Sequence, residues 1–474
     1  MLSAQLMIIL DMTVVNIALP HIQSNLHFSP AGLSWVLNGY TLTSGGLLLL
    51  GGRAGDILGR RRMFIAGISL FTLASLAGGL ADSAGLLLAA RAVQGVGGAL
   101  AAPAVLALIV SSFPEGRERT RALAIYMGVI TGGSSLGLVL GGVITEWLSW
   151  RWVLFINVPI GVAVVAIAPL FVAETPRLPG RFDLVGALTA TAGVTALVYA
   201  FIRAASSGWG DHLGLAAFAA AAVLIALFAA TETRARQPIT PLRLFADVSR
   251  SGSFAARLLL IAGMFGVFFF LTQFLQKIMG FSPLRAGVAF LPLTLALFAA
   301  SRLAPSLMPR LGTKPLMIAG MLPAIAALAW LSRVSPASAY WSGVFGPMIL
   351  LGLGMGLVFV PLTTTSLAGV PAADSGAASG LVNMLQLVGG ALGLGVLVAV
   401  YGTASRNAAA RPLPGLARTA QAQHVLAHGI ATAFGFAAIL AAASLLVIAT
   451  LIRTRTLTPG RAPARQEQEP ATAS

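Results

Sequence analysis

Long apolar segments follow one another along nearly the whole chain, and the short stretches between them carry most of the charged residues. Fourteen of these segments are about twenty residues long, enough for an α-helix to cross the hydrocarbon core of a bilayer. Their approximate limits are 2–21, 32–53, 63–81, 84–112, 122–145, 151–173, 184–204, 212–231, 252–276, 284–308, 314–334, 340–368, 376–400 and 426–452. The pattern predicts an all-α integral membrane protein with fourteen spans, of which the seventh and eighth stand out by their alanine content.

The amino-acid composition fits a lipid environment. Hydrophobic residues make up 57% of the chain and charged residues 9%, whereas a soluble domain carries about a quarter charged residues. The 53 glycines fit as well, because small residues let helices approach closely in lipid. The chain therefore has too few charged residues to cover a water-facing surface.

The basic residues indicate an orientation in the membrane. The net charge is +16, but no basic face with interleaved aromatic residues points to nucleic acid. The loops after even-numbered segments, together with the C-terminal tail, hold about 20 of the 30 basic residues. The loop with Arg406, Arg411 and Arg418 is an exception to this distribution. The positive-inside rule then predicts that both termini are cytoplasmic.

The two ends of the chain lead to separate expectations. The N-terminus lacks a basic region and a cleavage site, so the first apolar segment is expected to remain as a span. That segment has no polar lead-in, which leaves open a start upstream of Met1. Residues 454–474 are predicted to be a disordered cytoplasmic tail. The alanine- and arginine-rich composition is typical of a high-GC bacterium, and the expected location is the inner membrane.

Asp11 is the one acidic residue deep within an apolar segment, "ILDMTVVNIALP" at 9–20. It lies about 15 Å from Met1 along a helix, which is half the hydrocarbon core, and Pro20 and His21 are expected to end that helix. A charge at the bilayer centre is costly and usually faces a partner or a cavity. Arg91, about 10 Å into the fourth span, lies at a compatible depth, and it shares a helix face with Gln94 and Gly98.

This predicted pair of Asp11 and Arg91 has two interpretations. A carboxylate that is buried and lies near a cation can load and release a proton as access to it alternates. The other interpretation is a purely structural ion pair. The sequence alone leaves both open.

Two sequence segments in the first half of the chain have similar counterparts in the second half. "LGRRRM" at 58–63 opens the third span and "LGTKPLM" at 311–317 the eleventh, while Pro103 and Pro361 end similar glycine-rich stretches. Both offsets are about 255 residues. Chance similarity of glycine-rich helices is the alternative to a true repeat. A repeat predicts a six-helix bundle at 1–175, an inserted helix pair with its linkers at 176–249 and a second six-helix bundle at 250–453.

The loop "GRAGDILGRRR" at 52–62 and three other segments resemble the major facilitator superfamily, in its fourteen-span drug:proton antiporter branch. The loop matches the signature of the superfamily at six positions, although Ala54 and Ile57 depart from it. These positions are Gly52, Gly55, Asp56, Gly59, Arg60 and Arg61. "LDMTVVNIALP" resembles the branch at Asp11, Thr13, Asn16 and Pro20, and "RAVQGVGGA" at Arg91, Gln94, Gly95 and Gly98.

This resemblance implies a fold, a set of roles and a direction of transport. It implies a major facilitator fold of two six-helix bundles with two extra inserted helices. Asp11 and Arg91 would couple protons, and Asp56, Arg60 and Arg61 would belong to a cytoplasmic gate. The antiporter motif of the fifth span is matched at Gly128, Gly137, Gly141 and Gly142. Leu138 replaces its usual proline, which removes a helix-bending residue and weakens the case for export over import.

Polar residues within the spans are candidates for lining a cavity. They are Asn16, Asn38, Tyr40, Gln94, Gln273, Asn383 and Gln386. Each of them could equally hold two helices together. The chain has no cysteine and five histidines, none in a metal-ligand spacing, and its glycine strings do not open a βαβ unit. We therefore expect no metal, no nucleotide and no other cofactor.

The sequence as a whole predicts a proton-coupled secondary transporter that exports hydrophobic or cationic drugs, antibiotics or metabolites by alternating access. Its expected partners are the lipid bilayer, a small hydrophobic substrate and protons, and the need for a periplasmic adaptor stays open. A proton-coupled importer on the same fold is the main alternative. A membrane enzyme or sensor is disfavoured, because the spans hold no reactive cluster and the tail is too short for an output domain.

Overall fold

The computed structural model describes residues 1–113, 116–177, 182–234, 240–371 and 374–453, without the side chains of Thr131 and Leu242. The predicted disordered tail lies outside the described residues. The described chain is helical and contains no strand. Its α-helices are α1 (Leu2–Asn25), α2 (Trp35–Leu58), α3 (Arg60–Gly79), α4 (Ala84–Ser112), α5 (Arg117–Trp147), α6 (Trp152–Phe155), α7 (Asn157–Phe171), α8 (Leu184–Ser207), α9 (His212–Arg234), α10 (Val248–Gln273), α11 (Pro283–Ala289), α12 (Leu291–Leu311), α13 (Thr313–Leu331), α14 (Gly346–Leu367), α15 (Ser375–Ala409) and α16 (Arg418–Leu451).

Thirteen stretches of the described chain are long and apolar enough to cross a membrane. Two of them join short and long helices, α6 with α7 and α11 with α12, and two include a π-helical turn, at Phe274–Ile278 and Trp341–Phe345. α2 falls outside this set because its first half is rich in polar residues, but it is 24 residues long. With α2 included, the helices are consistent with the fourteen predicted spans.

The first helix differs from its prediction at one end. α1 continues through Pro20 and His21 to Asn25, so the expectation that these two residues end the helix was wrong. A proline inside a helix removes one backbone hydrogen bond and favours a kink, and neighbouring helices in a membrane protein make this tolerable.

The two predicted halves pack in the same way. In the first half, α2 and α4 pack side by side and α3 packs on α4; in the second half, α12 packs on α14 and α13 on α14. The turns at Gly59 and Gly312 correspond, since each glycine has a positive φ, 109° and 84°, between two helices. L-residues with side chains rarely adopt this conformation. The inserted helix α8 packs on α9 and contacts both α2 and α15.

The helices define two ends of the molecule. We call the end where α1 begins and α16 ends the terminal end, and the opposite end the far end. At the far end, α5 contacts α11, and the backbone N–H of Leu284 donates to Glu146 Oε2 at 2.9 Å. There also Gln276 Nε2 donates to the Ile17 carbonyl at 2.8 Å, and Lys277 Nζ donates to Gln23 Oε1. The two halves are therefore joined by polar contacts at the far end.

At the terminal end, the linker that enters the second half is tied to α15. Arg243 Nε donates to Asp374 Oδ2 at 2.7 Å and Nη2 donates to Oδ1 at 2.5 Å, a bidentate pair. The Arg243 side chain is 70% exposed, whereas that of Asp374 is 8% exposed. The hydrogen bonds from Arg243 hold the pKa of Asp374 below its ordinary value.

This pair predicts a pH-dependent contribution to stability. Because the pKa of Asp374 is lower in the folded protein, the pair stabilises above the unfolded pKa, about 3.9, and the contribution is lost as pH falls through the folded pKa. We expect Arg243→Gln to lower the melting temperature of detergent-solubilised protein slightly at pH 7, since Arg243 is solvent-screened. The difference from the wild type should shrink below about pH 4. A difference that stayed constant from pH 7 to 3 would contradict this assignment.

Candidate functional site

The predicted partners Asp11 and Arg91 meet in the interior of the first half. Arg91 Nη1 donates to Asp11 Oδ2 at 2.5 Å and to Gln94 Oε1 at 2.7 Å. Asp11 lies on α1 and the other two lie on α4, three residues apart on one helix face. All three side chains are buried, each with 1% of its surface exposed.

The carboxylate of Asp11 accepts two further hydrogen bonds, both at Oδ1. Gln94 Nε2 donates to it at 2.7 Å and also contacts Ser75 Oγ at 2.8 Å. Asn157 Nδ2 donates to it at 3.0 Å. Four helices, α1, α3, α4 and α7, thus contribute to one buried network, which we call the Asp11 network: Asp11, Ser75, Arg91, Gln94 and Asn157.

The guanidinium of Arg91 is held from its other side by α2. Its Nε donates to the Val36 carbonyl at 2.9 Å, and its central carbon lies 4.7 Å from the centroid of the Tyr40 ring. A cation over an aromatic face is stabilised most strongly where water is excluded, and Tyr40 is also buried. Arg91 is therefore fixed in place by contacts that do not depend on Asp11.

The charges of the network balance only while Asp11 is ionised. Its carboxylate neutralises the guanidinium of Arg91, and the remaining partners are neutral amides and a hydroxyl. If Asp11 took up a proton, Arg91 would remain charged, buried and uncompensated, and loss of one partner of a buried pair costs about 3–5 kcal/mol. Loss of the negative charge at Asp11 would therefore disturb contacts that join four helices. In the present conformation Asp11 is buried, with 1% of its surface exposed.

Sequence reasoning missed two members of the Asp11 network, Ser75 and Asn157. Asn157 is fully buried and begins α7, and Ser75 Oγ also donates to the Phe71 carbonyl at 2.7 Å. A signal for Asn157 was present, because "FINVPIG" places an amide among apolar residues. Ser75 gave no such signal, because a serine hydroxyl can hydrogen-bond to a carbonyl of its own helix.

The predicted gate residues lie at the terminal end, between α2 and α3. Arg60 Nη2 donates to Asp56 Oδ1 at 3.0 Å, and the backbone N–H of Arg61 donates to Glu174 Oε1 at 3.0 Å. A Cβ on Gly59 would lie 2.8 Å from the Glu174 carboxylate, so glycine is needed there for space as well as for its φ.

These gate contacts stay within the first predicted half. Arg61 Nη1 also donates to the Val172 carbonyl at 3.2 Å, and Arg62 lies 3.8 Å from Glu174. Gly52 and Gly55 lie beside Pro103 and Arg60, with ordinary spacing for an added Cβ. Glu174, which sequence reasoning did not identify, is one of the residues that connect the loop to the segment after α7. The gating role of these residues remains a prediction.

Three of the four antiporter-motif glycines allow close helix contacts. An added Cβ at Gly137 would overlap Thr13 Oγ1, and at Gly141 it would lie 2.9 Å from the backbone of Val14, both on α1. At Gly142 it would lie 2.6 Å from Cα of Leu284 in the second half. An added Cβ at Gly128 would meet no described atom within 4 Å, so this glycine makes no close helix contact with the described residues. The glycine pattern therefore joins α5 to α1 and, at the far end, to α11.

Gly142 predicts a test of the far-end contact. We expect Gly142→Val to prevent the close approach of α5 and α11, because the new side chain would meet the backbone of Leu284 and Pro283. Transport should fall at least about tenfold, the effect of about 1.4 kcal/mol on one step of the cycle. Gly128→Val, at an open position, is the matched control. Equal transport rates of the two variants in proteoliposomes would show that the contact is dispensable.

The cavity candidates fall into three groups. Tyr40 and Gln94 belong to the Asp11 network and its surroundings. Asn16, Asn38 and Gln273 are buried. In the described part of the chain, the Oδ1 atoms of Asn16 and Asn38 have no hydrogen-bond partner, whereas Gln273 Oε1 accepts from Lys277 Nζ at 3.3 Å. Asn383 and Gln386 are exposed on α15. Among the described residues, no group of His, Asp or Glu side chains is arranged to hold a metal ion.

Comparisons with known proteins agree with this architecture. The family model of the Major Facilitator Superfamily matches residues 1–394. A puromycin resistance protein of Streptomyces alboniger, pur8, is 43% identical over 92% of this chain and 87% of its own length. The cephamycin export protein CmcT of Amycolatopsis lactamdurans is 42% identical over 86% and 85%. A lincomycin resistance protein of Streptomyces lincolnensis is 39% identical over 84% and 82%.

Solved structures show the same fold at low sequence identity. A bacterial homologue of the lysosomal transporter Spinster, in an inward-facing and occupied conformation, aligns with a TM-score of 0.65 at 17% identity, over 95% of this chain and 96% of its own. The transporter PepTSo of the POT family aligns with a TM-score of 0.64 at 16% identity, over 94% and 97%. At these identities the likeness concerns the fold alone.

Proposed function

This chain belongs to the Major Facilitator Superfamily, and we propose that it exports small hydrophobic or cationic antibiotic-like molecules in exchange for protons. It is a multi-pass membrane transporter and not an enzyme. Relatives named for resistance to puromycin and lincomycin and for export of cephamycin support the class of substrate and the outward direction. We place the protein in a bacterial inner membrane with both termini in the cytoplasm.

The Asp11 network is the observation that supports proton coupling. Three further side chains hold the carboxylate or its partners, so a change of charge at Asp11 would act on residues of four helices. Because Arg91 is also held by Val36 and Tyr40, it can stay in place when Asp11 is neutralised. The network is thus built so that one proton changes its net charge and with it the packing of α1 against α4.

The transport cycle follows from this charge change. In the proposed orientation, the far end faces outward and the terminal end faces the cytoplasm. A proton arriving from outside would neutralise Asp11 when the far end is open, and its loss to the cytoplasm would restore the ion pair. The membrane potential supplies about 2.3 kcal/mol per charge for each 100 mV. No bound cofactor is needed, because the proton gradient provides the energy.

Everted membrane vesicles test both the coupling and the direction. In these vesicles the outward face of the transporter lines the lumen, so an exporter should accumulate a fluorescent cationic drug when the lumen is acidified. Addition of substrate should in turn release protons from the lumen and raise its pH. A proton-coupled importer would instead expel the drug from an acidic lumen. That result, or uptake independent of the gradient, would refute the proposal.

A further inference from the structure

A second ionisable residue, Arg257, is buried within the spans and takes no part in the Asp11 network. It lies on α10, and 3% of its surface is exposed. Its Nη2 donates to Thr363 Oγ1 on α14, and its central carbon lies 6.0 Å from the centroid of the Phe359 ring, also on α14. The guanidinium therefore bridges two helices of the second half.

Arg257 differs from Arg91 in having no negative partner among the described residues. Within that part of the chain, no carboxylate lies within 4.0 Å of its guanidinium, and its buried Nε has no hydrogen-bond partner. A buried charge is unfavourable unless it is paired and hydrogen-bonded. The one hydroxyl and one ring face around Arg257 do not supply a counter-charge.

The position of Arg257 corresponds to that of Asp11 in the other half. Each lies about nine residues into the first helix of its six-helix half, α10 or α1, and so about 14 Å from the terminal end. Thr363 and Phe359 are only half-buried, so the guanidinium lies directly behind side chains that reach a surface of α14.

We propose that Arg257 binds an anionic group, a carboxylate, of the transported molecule. A guanidinium presents N–H donors in a fork that fits the two oxygens of a carboxylate. The bound carboxylate would supply the missing counter-charge and the missing acceptor for Nε. Phe359 would contact the apolar part of the same molecule.

This inference deepens the proposed function, on which it rests: among hydrophobic or cationic molecules, the transporter would favour those that also carry an acidic group. Asp11 and Arg257 would then have separate tasks. The carboxylate of Asp11 would carry the proton, and Arg257 would discriminate between molecules with and without an acidic group.

Equilibrium binding to purified protein in nanodiscs tests the site with a matched pair of dyes. Rhodamine 110 carries a free carboxylate, and rhodamine 123 is its methyl ester. We expect the wild type to bind the acid more tightly than the ester by about tenfold or more, the scale of a charge-assisted hydrogen bond. Arg257→Gln should remove this preference while Arg257→Lys keeps part of it.

Arg302→Gln is the matched control for this test. Arg302 is an exposed arginine of α12, at a similar distance from the terminal end, and its replacement should leave the preference unchanged. A wild type without preference for the acid, including one that binds neither dye, would overturn the proposal. So would an Arg257→Gln variant that keeps the preference.

Protein stability separates binding from a structural role. Because an unpaired buried charge destabilises a protein, Arg257→Gln should raise the melting temperature without ligand. A lower melting temperature would assign Arg257 to the fold and overturn the proposal. Binding is measured without a gradient, so a protein that prefers the acid but shows no proton-driven uptake would refute the export function and leave this site standing. Proton-driven uptake without a preference for the acid would refute the Arg257 site and leave the export function standing.

Discussion

Replacing Asp11 by asparagine is expected to abolish proton-driven transport while the protein still inserts and folds. Asparagine has the shape of aspartate, and its Oδ1 can still accept hydrogen bonds from Gln94 and Asn157. It cannot take up or release a proton at physiological pH. The variant therefore resembles the protonated protein permanently, with Arg91 left uncompensated, and it cannot complete a cycle that requires the ion pair to form again.

The measurement is drug uptake into everted vesicles at a fixed inside-acid gradient. Uptake by the Asp11→Asn variant should fall to the level of vesicles without the transporter, at equal amounts of membrane-inserted protein. Asp211→Asn is a suitable control, because Asp211 pairs with Arg203 at 2.7 Å in the turn between α8 and α9, far from the Asp11 network. Full proton-driven uptake by Asp11→Asn would remove Asp11 from the coupling mechanism.

The sequence predicted the helices and the contact between Asp11 and Arg91 because the membrane fixes depth. A helix rises by a constant amount per residue, so the depth of each charged residue in the membrane follows from its position in the sequence. Two opposite charges at equal depth on different spans are therefore expected to pair. The same argument supplied Gln94, three residues from Arg91 on one face. Hydropathy reveals α2 less clearly than the other spans, since Asn38, Tyr40 and the hydroxyl residues near them interrupt its apolar residues.

The sequence could not predict which helices turn toward each other. Ser75 and Asn157 join the Asp11 network because α3 and α7 present those faces to α1 and α4, and this rotation depends on packing contacts between distant segments. Glu174 contacts the α2–α3 turn for the same reason, although it lies more than a hundred residues further along the chain. Asn383 and Gln386 were candidates for lining a cavity, and they are exposed on α15. Their role stays a prediction, because exposure fits a cavity wall as well as the outer surface.

The polar residues of the interior also differ in how far their charges are balanced. The Asp11 network pairs its arginine with an acid, whereas Arg257 has none among the described residues. The amino-acid composition does not distinguish Arg91 from Arg257. The difference arises from the positions of the two residues in the fold. The pair of Asp11 and Arg91 is suited to bind a proton, whereas Arg257, a single cation, is suited to bind an anion.

Replacing Arg91 by glutamine is expected to destabilise the protein by about 3–5 kcal/mol, the cost of leaving one charge of a buried pair without its partner. Asp11 would keep its bonds from Gln94 and Asn157 but lose its counter-charge. The double variant Asp11→Asn, Arg91→Gln removes both charges and should recover most of that loss, although it should transport nothing. Unfolding of the detergent-solubilised protein gives the free energies, and a double-mutant cycle isolates the coupling between the two residues.

The double variant is informative because it separates stability from function. If the ion pair served only to hold α1 against α4, a neutral pair that restores stability would restore transport as well. If Asp11 carries the proton, stability returns and transport does not. A double variant that is no more stable than Arg91→Gln alone would mean that the charges of Asp11 and Arg91 are not coupled. The proton could then bind at Asp11 without disturbing the helices around it, and the link between protonation and helix movement would be lost.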